Sequence, residues 1–431
     1  MTRLARRAVA GLFCAALAVT PAAPRAEAPA PTLDAPAYPR ALHPGPMSRA
    51  AARARAADLT ALGRELFFDP GLSASGAMAC ATCHDPARGF GPPGAGPVAS
   101  GGPSLDRAGT RAVPALRYLQ ATPAFTAHYF ESDEEGDESV DGGPTGGLTW
   151  DGRVDRARDQ AKIPLLSPDE MANASPAAVA ARLAAAPYAA SFRRVFGESV
   201  FEREDDAFDG ALDALDAFQQ SPSAFYPYSS RYDAFLAGRA QLGEQELRGL
   251  KLFSDAAKGD CARCHPARPS KDGAPPQFTD YAHVALGVPR NRALPANADP
   301  AHFDLGLCGP LRADLADHPG DCGRFRTPSL RNVALRQSFF HNGAIHDLRA
   351  AVAFYATRDT DPGRWYPRAP GGGVETFDDL PERYRANLEK DTPFGGAPGG
   401  RAPLDDAEID AIVAFLKTLT DADLAPRPES P

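Results

Sequence analysis

Apolar side chains recur every three or four residues near the end of each half of the chain, the spacing of a helix with one buried face. The stripe in the second half consists of Ile409, Ile412, Val413 and Leu416. The corresponding stripe in the first half consists of Leu212, Leu215 and Phe218. Asp405 and Glu408 form a capping box, which predicts that the second helix begins directly after Asp405. Each half is therefore predicted to close with an amphipathic helix.

A second repeated pattern lies near the start of each half. Residues 63–67 read Gly-Arg-Glu-Leu-Phe, and residues 249–253 read Gly-Leu-Lys-Leu-Phe. Between the helical patterns the chain is rich in Gly and Pro, 39 and 43 in all, with few strand-like alternations, which predicts a mainly α fold with long loops. The acidic, Gly-rich residues 131–147 are predicted to be a surface insertion.

The N-terminus has the pattern of an export signal. Basic residues precede an apolar run over residues 8–19, and residues 26–28 have the small-x-small form of a cleavage site. The run is about 12 residues where a membrane span needs about 20, which disfavours a transmembrane anchor. A lipid anchor at Cys14 is the other alternative, but Phe13 stands where a small residue is wanted. We predict a signal peptide over residues 1–28, export to the periplasm and a Pro/Ala-rich linker over residues 29–57.

Composition narrows the class of protein. The chain has 431 residues, of which 43% are hydrophobic and 23% charged, so it is globular and long enough for two domains. Its net charge of -9 and lack of a long basic run give no support for a nucleic-acid partner, while a cationic protein partner is compatible.

Two cysteine pairs carry the chemistry. Cys80-Ala-Thr-Cys83-His84 and Cys261-Ala-Arg-Cys264-His265 each have the form C-x-x-C-H, the signature of covalent haem c attachment. The thiols add to the vinyl groups of one haem, and the histidines, His84 and His265, bind the iron as proximal ligands. Zinc is the alternative, disfavoured because each pair carries an adjacent histidine in an exported chain. We predict two tandem class I cytochrome c-like domains, residues 58–238 and 239–422, with a tail over residues 423–431.

The sixth ligand of each iron decides the chemistry, because an open face admits peroxide and a second strong ligand does not. The methionines of the chain are Met1, Met47, Met78 and Met171, so the second half has none. The candidates there are a tyrosine or one of His283, His302, His318, His341 and His346. In the first half we expect His128 to be an exposed loop residue, which leaves the first haem open.

The chain resembles the bacterial di-haem cytochrome c peroxidase and MauG family in two further motifs, at residues 326–333 with 340–343 and at residues 148–153. The resemblance covers roughly residues 60 to 420. It implies that Trp150 lies between the haems and that the pocket of the first haem contains Gln160, Pro164 and Glu170. A carboxylate at this place can take a proton from the near oxygen of peroxide and return it to the leaving oxygen.

The resemblance also implies a distal ligand for the second haem at Tyr355. Classical peroxidases of the family carry methionine there, whereas members similar to MauG and MbnH carry tyrosine. A bound phenolate favours oxidised iron. His283 or His346, with Tyr355 as a core residue, is the alternative that the residues alone leave open.

The chain departs from the family pattern at two places. The histidine that caps the first haem of resting peroxidases has no match near residues 107–111. The asparagine of the family's calcium site corresponds to Tyr118, while Arg336 and Ser338 still offer backbone carbonyls. One calcium ion therefore stays open as a possible cofactor beside the two haems.

Cys308 and Cys322 remain after the haem motifs, and in an oxidising compartment we expect a disulfide worth about 3 kcal/mol. A redox-active role for this pair is the alternative.

The predicted function is an oxidoreductase that reacts with hydrogen peroxide at the open first haem and oxidises a protein partner through the second. The partner is a small cytochrome, a cupredoxin or a protein undergoing oxidative modification. A conventional cytochrome c peroxidase and a di-haem electron carrier without enzyme activity are the rivals.

Overall fold

The computed structural model describes residues 45–130 and 141–425. The predicted signal peptide, part of the predicted linker, residues 131–140 of the predicted insertion and residues 426–431 of the tail lie outside the described residues. Within the described part of the chain, no helix has the length and apolar character needed to cross a membrane.

The described residues are mainly helical. The helices are α1 (Arg49–Phe68), α2 (Cys80–Cys83), α3 (Ala157–Leu166), α4 (Pro176–Ala185), α5 (Ala189–Phe196), α6 (Glu204–Gln219), α7 (Pro222–Phe225), α8 (Arg231–Leu236), α9 (Glu244–Ser254), α10 (Leu348–Thr357) and α11 (Asp406–Lys417). The strands are β1 (Ser100–Gly101), β2 (Arg107–Ala108), β3 (His283–Val284) and β4 (Phe325–Arg326). They form two short antiparallel pairs, β1 with β2 and β3 with β4. The prediction of a mainly α fold with long loops is confirmed.

Helix α1 crosses the closing helix α6 at a glycine. A Cβ on Gly63 would lie 1.8 Å from the carbonyl oxygen of Ala214, so the two backbones approach more closely than any side chain allows. The same contact recurs in the second half, where a Cβ on Gly249 of α9 would lie 2.0 Å from the carbonyl oxygen of Ala411 in α11. The repeated glycine in the two sequence patterns therefore has one structural cause, a close helix crossing.

An aromatic cluster is repeated around each crossing. In the first half the ring of Phe218 lies 5.4 Å from Phe67 and 6.3 Å from Phe90. In the second half the ring of Phe415 lies 5.2 Å from Phe253 and 6.3 Å from Phe278. These rings belong to two separate hydrophobic clusters, one in each half. The two halves are thus built on the same frame, as expected for tandem cytochrome c-like domains.

The predicted closing helices are confirmed. Helix α11 begins with the capping box, in which Asp405 accepts a hydrogen bond from the backbone of Glu408 at 2.9 Å and Glu408 accepts one from Asp405 at 3.0 Å. Its buried face includes Ile409, Ile412 and Leu416, while Val413 is partly buried.

Two expectations about loop regions need correction. Order was expected from near Asp58, but α1 begins at Arg49, because Ser48 caps the helix and Arg55 lies over the ring of Phe196 at 5.6 Å. Residues 144–147 of the predicted surface insertion are buried rather than exposed. The reason is a contact with the second half, since Thr145 pairs with Ala282 as a β-bridge.

One buried carboxylate joins the two halves. Asp421 is fully buried and accepts hydrogen bonds from Arg117 at 2.7 Å and from the Tyr118 hydroxyl at 2.6 Å, both in the first half. It also accepts one from Asn332 at 2.7 Å. We call these four side chains, Arg117, Tyr118, Asn332 and Asp421, the Asp421 clasp.

Cys308 and Cys322 are joined by a disulfide, with their Cα atoms 5.1 Å apart. It closes the loop that leads into β4, and the expected pairing is present in the structure.

Candidate functional site

The first C-x-x-C-H motif forms a single helical turn, α2, that places its two thiols and its imidazole together. The backbone N–H of His84 donates to the Cys80 carbonyl at 2.9 Å, which closes the turn. The Nδ1 atom of His84 lies 3.1 Å from the carbonyl oxygen of Phe90. Burial lowers the pKa of His84 to about 4, so the ring is neutral. With Nδ1–H directed at Phe90, the Nε2 lone pair is available for a metal.

The second motif repeats this arrangement. The N–H of His265 donates to the Cys261 carbonyl at 2.8 Å, and its Nδ1 lies 2.8 Å from the carbonyl oxygen of Phe278. Burial lowers the pKa of His265 to about 4. A hydrogen bond that orients a neutral imidazole is the usual support of a proximal haem ligand.

The four thiols of the motifs are neutral and are not joined in disulfides. Burial raises the pKa of Cys80 to about 12 and that of Cys83 to about 11. It raises the pKa of Cys261 and Cys264 to about 12. Zinc needs four ligands, and across residues 45–130 and 141–425 no group of even three His, Cys, Asp or Glu side chains is placed to hold a metal ion. The arrangement favours thioether formation over zinc.

A cavity lies beside the second motif and is lined largely by apolar side chains, together with Cys261, Cys264 and His265. Arg326 also lines the cavity, and its guanidinium is buried. Its Nε atom donates a hydrogen bond to the Thr149 carbonyl at 3.2 Å. Burial lowers the pKa of Arg326 to about 10, because no carboxylate of the described chain offsets the charge. A haem fits this cavity, because the haem macrocycle is apolar and the negative charge of its propionates would neutralise Arg326.

Tyr355 lies on α10 and lines the same cavity as Cys261, Cys264 and His265. Its ring packs 5.5 Å from Phe394 and 5.9 Å from Phe340. Burial raises the pKa of the Tyr355 phenol, and the nearby thiols raise it further. The structure therefore brings the predicted proximal and distal ligands of the second haem to one cavity.

The alternative histidine ligands are placed less favourably. His341 lines the cavity, but its ring is stacked on Phe325 with the centroids 3.5 Å apart. His283 is buried elsewhere, with Nδ1 at 3.2 Å from the carbonyl oxygen of Pro144. The remaining candidates do not contribute to this cavity lining; they are His302, His318 and His346.

Trp150 lies on the lining of the cavity and is held at both ends. Its indole N–H donates to the Ala112 carbonyl at 2.8 Å, and its own carbonyl accepts from the N–H of Arg326 at 2.8 Å. Trp150 thus connects a loop of the first half to β4 of the second.

Asp151, the residue after Trp150, anchors the loop. It is fully buried and accepts from Arg111 at 2.7 Å and from Arg153 at 2.8 Å. Burial by itself would raise the pKa of Asp151, but the two guanidinium groups outweigh it and the pKa is lowered. Arg111 also binds Asp304 at 2.6 Å. Sequence analysis missed this network, because Asp304 is far from Arg111 along the chain and carries no motif.

Glu170 lies in the loop after α3, where its carbonyl accepts from the N–H of Gly102 at 2.7 Å. Burial raises the pKa of Glu170, and the charge of Arg153 partly opposes this rise. The carboxylate in turn raises the pKa of Cys80 and Cys83, which places it near the first haem motif. The structure therefore brings Glu170 and the first pair of thiols together.

Gln160 and Pro164 lie one turn apart in α3. Pro164 has no N–H to donate to the Gln160 carbonyl, and its own carbonyl accepts from the N–H of Met171 at 3.0 Å. This bond fastens the loop that carries Glu170 to the helix. His128, as expected, is an exposed loop residue, paired with Asp141.

The residues at the family's calcium position do not fit a calcium ion. The Tyr118 hydroxyl donates its hydrogen to Asp421. The carbonyl of Ser338 accepts a hydrogen bond from Nε of Arg336 at 3.1 Å. Calcium needs six to eight oxygen ligands, and here a cationic side chain already holds one of the expected carbonyls.

The repeated frame and the two C-x-x-C-H sites define the class of the protein as a di-haem c-type cytochrome. Comparison with known proteins identifies the family within this class. A family model described as di-haem cytochrome c peroxidase matches residues 57–241. The methylamine utilization protein MauG of Paracoccus denitrificans is 36% identical over 391 residues, which are 86% of this chain and 91% of the relative.

Solved structures agree with this placement. The di-haem peroxidase BthA from Burkholderia thailandensis is 42% identical with a TM-score of 0.75, over 85% of this chain and 86% of that chain. A MauG-like protein associated with microbial copper homeostasis is 25% identical with a TM-score of 0.59, over 91% and 97% of the two chains. The chain belongs to the di-haem cytochrome c peroxidase and MauG family, and it is a di-haem enzyme of the peroxidase or oxidase type.

Proposed function

We propose that the first half activates peroxide with Glu170 as the proton-transfer group, and that the second half, with Tyr355 as its distal ligand, oxidises a protein partner as MauG-like enzymes do. The observation that carries this proposal is the position of Tyr355, which lines one cavity together with Cys261, Cys264 and His265. A methionine ligand, as in a conventional peroxidase, has no source in the second half of the sequence.

The role of Glu170 follows from its surroundings. Reduction of peroxide to two waters takes two protons and two electrons, and each haem, when bound, supplies an iron that handles the electrons. Glu170 takes the proton of the near peroxide oxygen and delivers it to the leaving oxygen. Arg153 favours the ionised form needed for the first transfer, while burial favours the protonated form needed for the second.

Trp150 is proposed to pass oxidising equivalents between the halves. It lies on the lining of the second cavity, and its indole N–H is tied to Ala112 of the first half. The hydrogen bond to a neutral carbonyl leaves the ring without a charged partner at its N–H. Replacement of Trp150 should leave the reaction with peroxide intact and abolish oxidation of the partner.

Tyr355 is proposed to bind iron as a phenolate. Deprotonating a free phenol costs about 4 kcal/mol at pH 7, and burial adds to that cost, so only a bound ferric ion offsets it. A ligand of this kind stabilises oxidised iron and makes the second site a poor acceptor from ordinary electron carriers.

We further propose that the protein is periplasmic and that its partner is a small cytochrome, a cupredoxin or a protein undergoing oxidative modification. The N-terminal sequence pattern, the C-x-x-C-H motifs and the Cys308–Cys322 disulfide support an oxidising compartment. The cofactors are two haems c, and the residues at positions 118, 336 and 338 argue against a calcium ion at that place.

The test replaces Tyr355 with methionine in the di-haem protein. Tyr355→Met should raise the reduction potential of the second haem, because a neutral thioether favours ferrous iron more than an anion does. Phe354→Met is the matched control, since Phe354 is the buried neighbour on the same helix and is not part of the cavity lining. Spectroelectrochemical titration of both variants measures the potentials. An unchanged potential in Tyr355→Met would remove the MauG-like assignment.

A further inference from the structure

Arg336 joins the two halves through backbone carbonyls alone. Its Nη2 atom donates to the carbonyl of Val113 in the first half at 3.1 Å. Its Nε atom donates to the carbonyl of Ser338 in the second half at 3.1 Å. No carboxylate of the described chain attracts this guanidinium, and burial lowers the pKa of Arg336 to about 10. A guanidinium held by one backbone carbonyl from each half takes the kind of position that a metal cation takes between oxygen ligands.

The charge of Arg336 reaches the first haem motif and the second cavity. Arg336 lines the cavity that holds Cys261, Cys264 and His265. Arg336 is also close to His84, since its charge acts on that ring. One guanidinium therefore lies near both sites.

Tyr118 offers no free oxygen to a calcium ion. By the family resemblance it corresponds to the asparagine of the calcium site, but its hydroxyl donates to Asp421 at 2.6 Å and accepts from the N–H of Tyr228 at 3.1 Å. Arg331 lies over the Tyr118 ring at 4.7 Å and is paired with Asp233 at 2.9 Å. These groups are already bonded to one another, so none of them is free to serve as a ligand of a divalent ion.

We propose that the guanidinium of Arg336 permanently fills the cation position between the two halves, so that this protein holds its halves together without calcium. The side chain supplies the positive charge and bridges the carbonyls of Val113 and Ser338. The inference concerns only the apposition of the halves and does not depend on the proposed reaction with peroxide.

The first experiment measures metal content and unfolding of the purified di-haem protein. After dialysis against EGTA, we expect far less than one calcium per chain by plasma mass spectrometry. We expect the same Tm and the same haem absorption spectrum with EGTA and with excess calcium chloride. Stoichiometric calcium whose removal lowers Tm or changes the haem spectrum would overturn the proposal.

The second experiment uses variants. Arg336→Gln should lower Tm by roughly 2–5 °C, because two charge-assisted hydrogen bonds are lost, of which the one to Val113 joins the halves. Arg88→Gln is the matched control, since Arg88 also donates across the halves, to the Leu335 carbonyl at 3.1 Å. In Arg88→Gln and Arg336→Gln alike, calcium should not restore Tm, because Tyr118 still offers no ligand.

The double variant Tyr118→Asn with Arg336→Thr should respond to calcium. It frees the Ser338 carbonyl and supplies an amide oxygen, and the buried Ser338 hydroxyl has no hydrogen-bond partner in the described chain. Added calcium should raise its Tm and bind with one-to-one stoichiometry. A folded double variant that ignores calcium would show that Arg336 does not occupy a cation position. If it fails to fold, the metal content of the wild-type protein still decides.

Discussion

The two halves of the molecule place the same histidine on the same aromatic frame, but they differ in the group that accompanies it. In both halves, a helix crosses the closing helix at a glycine. In both, the backbone carbonyl of a phenylalanine orients the imidazole, which is His84 in the first half and His265 in the second. The first motif has the carboxyl group of Glu170 nearby, whereas the second shares its cavity with the phenol of Tyr355. The frame attaches and orients a haem, and one further side chain sets what that haem does.

The largest expected effect comes from removing either histidine. His84→Gly and His265→Gly should each keep haem attached through the thioethers and abolish turnover with a protein partner. They should differ in one respect: only His265→Gly should still consume peroxide in a single turnover. Mass spectrometry and stopped-flow absorption measure the two properties. Identical loss of peroxide consumption in both would contradict the division of labour between the halves.

Glu170→Gln should slow peroxide activation by about a hundredfold or more, the usual contribution of a positioned acid-base group. Both haem spectra should stay unchanged, because the side chain does not hold the haem. Asp169→Asn is the control, since Asp169 is the exposed neighbour and should change the rate by less than about tenfold. Equal slowing in the two variants would mean that general electrostatics, and not proton transfer, sets the rate.

The shared frame is tested at the two crossing glycines. Gly63→Ala and Gly249→Ala should each destabilise the protein by about 1–3 kcal/mol or more, because the added methyl group meets a backbone carbonyl. Gly371→Ala should be neutral, since a Cβ there meets nothing within 4 Å. Chemical denaturation followed by circular dichroism measures the differences. A loss at only one of the crossings would show that the two frames are not equivalent.

The smallest expected effect is a shift in pH dependence. Glu170 must be ionised to take the first proton, and burial raises its pKa, so activity should fall on acidification at a higher pH than for an ordinary carboxyl group. Arg153→Gln removes an attraction and should move this fall to higher pH. Asp169→Asn removes a repulsion and should move it to lower pH. Rate constants of peroxide activation between pH 4 and 8, in roughly half-unit steps, check the opposite signs; shifts in the same direction would contradict the assignment.

Local patterns in the sequence were sufficient to predict the helical frame of each half. The capping box at Asp405, the apolar stripes and the C-x-x-C-H motifs depend on residues a few positions apart, and each appears in the structure as expected. The sequence analysis placed the start of order too late, because a segment rich in Ala and Arg resembles a linker. The contact of Arg55 with the ring of Phe196, which orders this segment, is visible only in the structure.

Contacts between distant residues were out of reach. The burial of Thr145 depends on Ala282, and the Arg111–Asp304 pair joins loops without any motif. The bare charges of Arg326 and Arg336 are visible only when their surroundings are known, since an arginine in a sequence is most often exposed. Assignments of Trp150, Glu170 and Tyr355 to their roles still rest on resemblance together with their placement.

The Asp421 clasp bears on the order in which the molecule is made. The bond between Arg117 and Asp421 spans 304 positions, and Asp421 is among the last described residues. During synthesis, the first half and its haem motif emerge long before the carboxylate that Arg117 and Tyr118 require.

Closure of the clasp is therefore a late step, and long-range contacts of this kind form slowly. Until it happens, a cationic and a phenolic side chain lack the partner that makes their burial tolerable. A chain truncated before Asp421 would therefore carry both haem motifs but lack the carboxylate that joins its two halves.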